Sequence, residues 1–262
     1  MTVRTVERKD YLKKLESFRD NTQFVKVITG VRRCGKSTLL DQYVAELQGS
    51  GVKGDEILHM NLESSDYDNL ENYRDLNAYL KERVPKKGRF YLFLDEIQRI
   101  EGWEKSVNAL MVDSEADVYL TGSNAHILSS ELSTFLTGRY VAIEMLPLSF
   151  AEYLELRGNG RKERAVFSDF LRYGGLPAVD PSAGTTALTS TLRDLYSSIV
   201  YVDIVSRGKV RRPEDLEKIV QYLMFNVGNE TAVKTVAEGL GIHRTTVDRY
   251  LKLLSEACLI YR

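Results

Sequence analysis

Apolar positions along this chain follow two different rhythms. In residues 7–18, ERKDYLKKLESF, Tyr11, Leu12, Leu15 and Phe18 recur at helical spacing and predict an amphipathic helix. Five runs rich in β-branched and aromatic residues follow: QFVKVITG from Gln23, EILHMNL from Glu56, RFYLFLDEI from Arg89, DVYLTGSN from Asp117 and YVAIEML from Tyr140. Helical patterns beginning near Lys36, Asp75, Gly102 and His126 separate them. Alternation of this kind predicts an α/β fold, a parallel sheet covered by helices on both faces. The third run is continuously apolar, as a central strand should be.

Beyond Pro147 the strand-like runs stop. From Phe150 to about Val227 only helical patterns remain, broken at RGNG, YGGLPAVDPSAGTT and SRGKVRRP. From Thr231 onward, two helical patterns meet at a tight turn containing Gly241, a helix-turn-helix. The last residues, LIYR, should begin a strand, which suggests a chain cut short. The expected division is 1–147, 148–212 and 213–262.

Composition excludes some classes and selects none. Hydrophobic residues make up 43% and charged ones 28%, ordinary values for a globular protein, and 36 Lys+Arg nearly cancel 37 Asp+Glu, so overall charge names no partner. No apolar run approaches the roughly 18 residues of a membrane span, and MTVRTVERKDYL lacks the apolar core of a signal peptide. Cys34 and Cys258 are too few for a disulfide framework. A reducing cytoplasm, with no membrane partner, is the expected setting.

The chemistry begins in VITGVRRCGKSTLL. Gly30, Gly35, Lys36 and Ser37 match the Walker A phosphate loop, and the pattern stands between a strand and a helix, as it must. Glycines let successive N–H groups turn toward one anion, and the helix N-terminus adds partial positive charge. Lys36 would reach the β- and γ-phosphates, and the Ser37 hydroxyl would hold Mg²⁺. Val31, Arg32, Arg33, Cys34 and Thr38 are assigned to nucleotide binding as part of the phosphate loop, the two arginines through backbone contact with phosphate alone. In YLFLDEI, Asp95 ends an apolar strand where it can hold Mg²⁺ through water, and Glu96 can act as general base on the attacking water. At the end of the fourth run, Asn124 or Ser123 can contact the γ-phosphate or orient that water; the plainer reading is a helix cap.

ITGVRRCGKSTLL, LDEIQRIEGWE, LTGSNAHILSSELSTFLTGRY, MLPLSFAEYL and YGGLP together resemble the AAA+ branch of P-loop ATPases. More narrowly, they resemble a prokaryotic AAA+ group related to origin-recognition and STAND-type ATPases. The resemblance covers nearly the whole chain. It implies strand order 5-1-4-3-2, then a helical lid and a winged helix. It also implies a further C-terminal domain, often suspected to be nuclease-like, which this sequence does not contain. It makes Arg139, ahead of the fifth run, an arginine finger for a neighbouring copy in a homo-oligomer, against the plainer reading of a local ion pair with Glu131 or Glu144. It sets Pro177 near an adenine and leaves Arg172 as a candidate sensor.

In the tail, RTTVDRYLKLL presents Arg244, Thr245, Thr246 and Arg249, types suited to nucleic-acid contact, on a segment of mild positive charge. DNA and a protein partner both stay open. The sequence thus points to a Mg²⁺-dependent ATPase that cycles through ATP and ADP to switch its lid and winged helix. A DNA-binding regulator that uses ATP only as a ligand, and a P-loop small-molecule kinase, are the alternatives.

Overall fold

A computed structural model of the chain describes residues 5–123, 136, 138–206 and 208–261. All five strand-like runs form strands: β1 (Val25–Thr29), β2 (Ile57–Asn61), β3 (Tyr91–Asp95), β4 (Asp117–Gly122) and β5 (Tyr140–Glu144). They make one sheet of order β2-β3-β4-β1-β5, which is the expected 5-1-4-3-2 order counted from the other edge, and every pair is parallel. β1, β3 and β4 are buried along their whole length, whereas β2 and β5 at the edges are only partly covered.

Alternation along the strands gives the sheet two unlike faces. Val25 and Val27, Leu92 and Leu94, and Val118 and Leu120 face an aliphatic core completed by Leu76, Leu80, Trp103, Val107 and Leu110. These last five come from α3 (Tyr73–Arg83) and α4 (Trp103–Asp113). The alternate positions are Lys26, Ile28, Tyr91, Phe93, Asp95, Asp117, Tyr119 and Thr121. On that face Phe93 stacks on Tyr119 at 4.7 Å between ring centroids, and Tyr43 of α2 (Lys36–Gly49) packs against Tyr119 at 5.3 Å. Lys26 pairs with Asp117 at the amino end of this face, and Asp95 meets Thr121 at the carboxyl end. The polar face therefore carries charge to the edge where β1 runs into the glycine loop.

Helix ends differ from the sequence pattern for local reasons. α1 spans Lys9–Glu16, inside the expected 7–18, and Arg8 just before it is non-helical. α3 begins two residues ahead of Asp75 because Asn72 caps it: the Asn72 side chain accepts the Arg74 N–H, and Asp75 accepts the Asn72 N–H. The helix expected near His126 lies outside the described residues. α5 (Phe150–Arg157) and α6 (Glu163–Tyr173) follow β5 and share a core of Leu148, Tyr153, Leu156 and Val166.

The chain forms two compact units that divide at Thr185/Thr186. α5 and α6 therefore belong to the same unit as the sheet. The second unit holds α7 (Thr185–Ser197) from its second residue onward, a π-helical continuation Ser198–Ser206, α8 (Pro213–Phe225), α9 (Val233–Leu240) and α10 (Arg244–Glu256). Gly241 turns between α9 and α10 at φ 64°, as the helix-turn-helix pattern requires. The strand expected at LIYR is not formed among the described residues, where Leu259–Tyr261 pair with no other strand. Leu259 instead bends back, its N–H donating to Leu254 O at 3.0 Å. Among the described residues no helix is long and apolar enough to cross a membrane.

Candidate nucleotide-binding site

The glycine loop is shaped by one close approach. Gly30 has φ +154°, and a Cβ there would lie 2.2 Å from the Met145 carbonyl oxygen, so no side chain fits. Arg33 and Gly35 also have positive φ, 63° and 105°. Alternation of this kind curls a backbone into an anion-binding nest. α2 starts at Lys36, so its first amides are those a helix leaves without partners. The Lys36 side chain is buried, and its ammonium donates to Gly30 O (3.1 Å) and Val31 O (3.3 Å). The same nitrogen lies 3.9 Å from Glu96 Oε1.

Asp95 and Glu96 stand beside this loop at the carboxyl end of β3. Asp95 is 1% exposed, and Thr121 on β4 donates its hydroxyl proton to Asp95 Oδ1. The same Thr121 oxygen accepts the Glu96 N–H at 3.0 Å. Glu96 adopts a left-handed backbone, φ 55°, and Gln98 donates its amide N–H to Glu96 Oε2. Burial pushes the Glu96 carboxyl above the usual carboxylate range, while Lys36 and Gln98 pull the other way. A carboxylate raised in this manner suits a general base.

Lys36 and Glu96 border a cleft of about 390 Å³. Loop residues Arg32–Thr38 and Glu96 form one wall; Thr5, Val6 and Arg8, then Met145, Leu148, Leu156, Pro177 and Ala178, form the rest. Arg32 Nη1 lies 4.0 Å from Glu63 Oε1, and Glu63 also borders the cleft. Cys34 is buried, and burial pushes its thiol pKa up. A nest of loop amides beside apolar residues, with Met145 and Pro177 close to Gly35, fits a molecule with a polyphosphate and a flat organic group. The hydroxyl of Ser37 and the carboxylate of Asp95 are hard oxygen donors of the kind Mg²⁺ takes.

A family model described as an AAA domain matches residues 22–154, more than half of the chain. The chain belongs to the AAA family. Residues 164–262 match a domain of unknown function. An uncharacterized protein of Haemophilus influenzae is 38% identical across 100% of this chain and 67% of its own length. One from Methanocaldococcus jannaschii is 31% identical across 90% of the chain and 56% of its own length. The chain thus spans about two thirds and just over half of these relatives. Fainter likenesses include Drosophila ORC bound to DNA (TM-score 0.47, 17% identity, 96% of this chain and 78% of that one) and Aeropyrum pernix ORC1 in complex with DNA (0.43, 15%, 97% and 83%). AMPPCP-bound DnaA from Aquifex aeolicus is a third (0.42, 17%, 95% and 88%). Likenesses this distant do not bear on chemistry.

Within the AAA domain, loop residues 30–38, Asp95 and Glu96 come together, and Pro177 joins them from outside the matched segment, 3.9 Å from where a Gly35 Cβ would be. Asn124 lies outside the described residues, as does Glu131. Ser123 is 1% exposed, and its hydroxyl has no hydrogen-bond partner among the described residues. Arg139 stands at the amino end of β5, against the start of β1, while the glycine loop leaves the far end of β1. Five residues at about 3.3 Å each separate the two levels by roughly 16 Å. Arg139 therefore cannot serve its own loop, and its Nη2 donates to Asn108 Oδ1 at 3.3 Å. Arg172 is exposed over the Tyr173 ring and does not border the cleft.

Sequence reasoning missed Thr121, Gln98 and Arg8. Thr121 was legible as the next same-face position after Asp117 and Tyr119, level with Asp95. Gln98 stands two residues past Glu96. Arg8 gave no signal, since it precedes every motif. In the tail, Arg249 is exposed, and its Nη2 donates to Gly208 O (2.7 Å) and Lys209 O (3.3 Å). It thereby holds the basic loop GKVRR against α10.

Proposed function

We propose that the chain binds ATP with Mg²⁺ at loop 30–38 and hydrolyses it to ADP and phosphate. The observation that carries this reading is the convergence of the Lys36 ammonium and the Glu96 carboxylate, 3.9 Å apart, at the loop end of the cleft. Lys36 draws the γ-phosphate into the nest. Glu96 takes the proton from the water that attacks the γ-phosphorus, and the bond to the ADP oxygen breaks. Thr121 keeps Asp95 and Glu96 at fixed separation through the step. Ser37 and Asp95 would hold Mg²⁺, which neutralises charge on the phosphate oxygens when bound. Pro177 covers the organic end, and Ser123 or Asn124 orients the water.

Arg139 acts on the γ-phosphate of a neighbouring copy, a role its distance from its own loop supports. The hydrolytic cycle moves a winged-helix-type segment 213–262, with the part of the helical segment 148–212 beyond Thr185, between arrangements, in the cytoplasm. The decisive experiment pairs two variants. Lys36→Ala should lose ATP binding in calorimetry, whereas Glu96→Gln should bind ATP and fail to turn it over. Binding by Lys36→Ala at wild-type affinity, or turnover by Glu96→Gln at the wild-type rate, overturns the assignment.

A second reading concerns DNA. The loop GKVRR, pinned by Arg249 to the second helix of the helix-turn-helix, carries exposed Lys209 and Arg211, and Arg244 is exposed on the same unit. Phosphate contact through these cations is compatible with an ATPase, or with a regulator for which ATP is a ligand only.

A further inference from the structure

Arg8 lies outside every motif, yet its side chain is only 4% exposed and borders the cleft. Its three nitrogens reach three separate segments. Nη1 donates to Cys34 O in the glycine loop at 3.4 Å and Nη2 to Leu146 O beyond β5 at 2.9 Å, while Nε lies 2.8 Å from Glu152 Oε1 on α5 in an ion pair without hydrogen-bond alignment. The guanidinium also sits 4.8 Å from the Tyr11 ring centroid, and the Tyr11 hydroxyl accepts the Leu146 N–H at 3.0 Å. The backbone around it is stitched to α2 from both sides: the Arg8 N–H donates to Gln42 Oε1 (3.3 Å), and Gln42 Nε2 donates to Val6 O (2.8 Å).

We infer that Arg8 is a positioning residue that sets the width of the nucleotide cleft by holding the glycine loop, the exit of β5 and α5 at fixed distances. The inference rests on the nucleotide reading above. A guanidinium is a rigid fork that stays charged, so a displaced acceptor leaves a buried donor unpaired, which is costly. The three segments therefore shift together or not at all. Met145, Leu148 and Leu156, which border the cleft, belong to the segments Arg8 holds, whereas Lys36, Asp95 and Glu96 keep their own bonds without it. Loss of Arg8 should thus loosen the grip on the nucleotide and leave the chemical step nearly intact.

The test is a comparison of ATP and ADP affinity with turnover. Arg8→Met should weaken both nucleotides by about tenfold or more, the scale of one charge-assisted hydrogen bond, while kcat at saturating ATP changes by less than about threefold. Arg8→Lys, which can replace one contact, should recover part of the affinity. Glu152→Gln keeps an acceptor for the α5 cap and removes the charge, so it should weaken binding in the same direction. The Arg8→Met/Glu152→Gln double variant should be little worse than the stronger single one. Should Arg8→Met fail to fold, Gln42→Leu, outside the cleft lining, and Glu152→Gln decide: nucleotide affinity within about twofold of wild type in both overturns the inference. A fall in kcat with KM unchanged also overturns it. Lys36→Ala runs alongside. If it abolishes binding while Arg8 variants bind normally, only this inference fails; if it binds normally, the nucleotide reading fails and takes this one with it.

Discussion

The hydroxyl of Thr121 donates to the carboxylate of Asp95 and, through the same oxygen, receives the N–H of Glu96. Thr121→Val keeps the shape of the side chain and removes both bonds. The variant should fold, bind ADP as before, and lose about 10- to 100-fold in kcat, the scale of one or two hydrogen bonds to charged groups. Single-turnover hydrolysis beside an ADP titration measures the two parts. Wild-type turnover would show that the two acids need no such tie.

Gln98 bears on pH. Glu96 must be ionised to accept a proton, and burial already raises its pKa, with the Gln98 N–H pulling it down. Removing that N–H in Gln98→Leu raises the carboxyl further. The acidic limb of kcat against pH should therefore move to higher pH, with activity lost first on the low-pH side. An acidic limb in the wild-type position would separate Gln98 from the base.

As the proposed finger, Arg139 would require a second copy to act. Specific activity should rise with protein concentration, and mixing Arg139→Ala with Lys36→Ala protein should restore activity that neither has alone. If subunits exchange and nothing is restored, the contact with Asn108 is the whole of its role.

Lys26 is fully buried beside Asp117, which also accepts the Tyr119 hydroxyl proton at 2.9 Å and the Asp20 N–H at 2.9 Å. Lys26→Met strands the carboxylate in a dry sheet and should cost about 3–5 kcal/mol in urea unfolding. A loss under about 1 kcal/mol would mean that water or protonation relieves Asp117 readily.

For the tail, duplex DNA binding should fall in a Lys209→Ala/Arg211→Ala variant, with the log–log salt slope flattening by about 0.9 for each phosphate no longer neutralised. Arg249→Ala should weaken binding too, by releasing the loop it holds. If wild-type protein does not bind duplex at low salt, DNA leaves the scheme.

The strands and the two-acid motif were legible because alternation and motif spacing are properties of neighbours in sequence. All five runs became strands, and Lys36, Asp95 and Glu96 meet at one sheet edge. What stayed hidden was set at long range. Arg8 reaches acceptors 26 and 138 residues away, and Arg249 reaches back 41. Read along the chain, Arg249 is simply a cation at a helical position suited to DNA. The π-helical stretch Ser198–Ser206 shows the same limit, since SIVYVDIVS carries no local sign of a widened turn.

The strap that carries Arg8 begins ahead of residue 22, where the AAA match starts. A protein cut to the matched segment would retain the whole sheet, the glycine loop and both acids. It would also lose one side of the vessel that holds the nucleotide, together with the cation that braces the other side. The portion recognisable by ancestry and the portion able to work are then different lengths of chain. Boundaries drawn from the first would yield a piece that folds around an open groove.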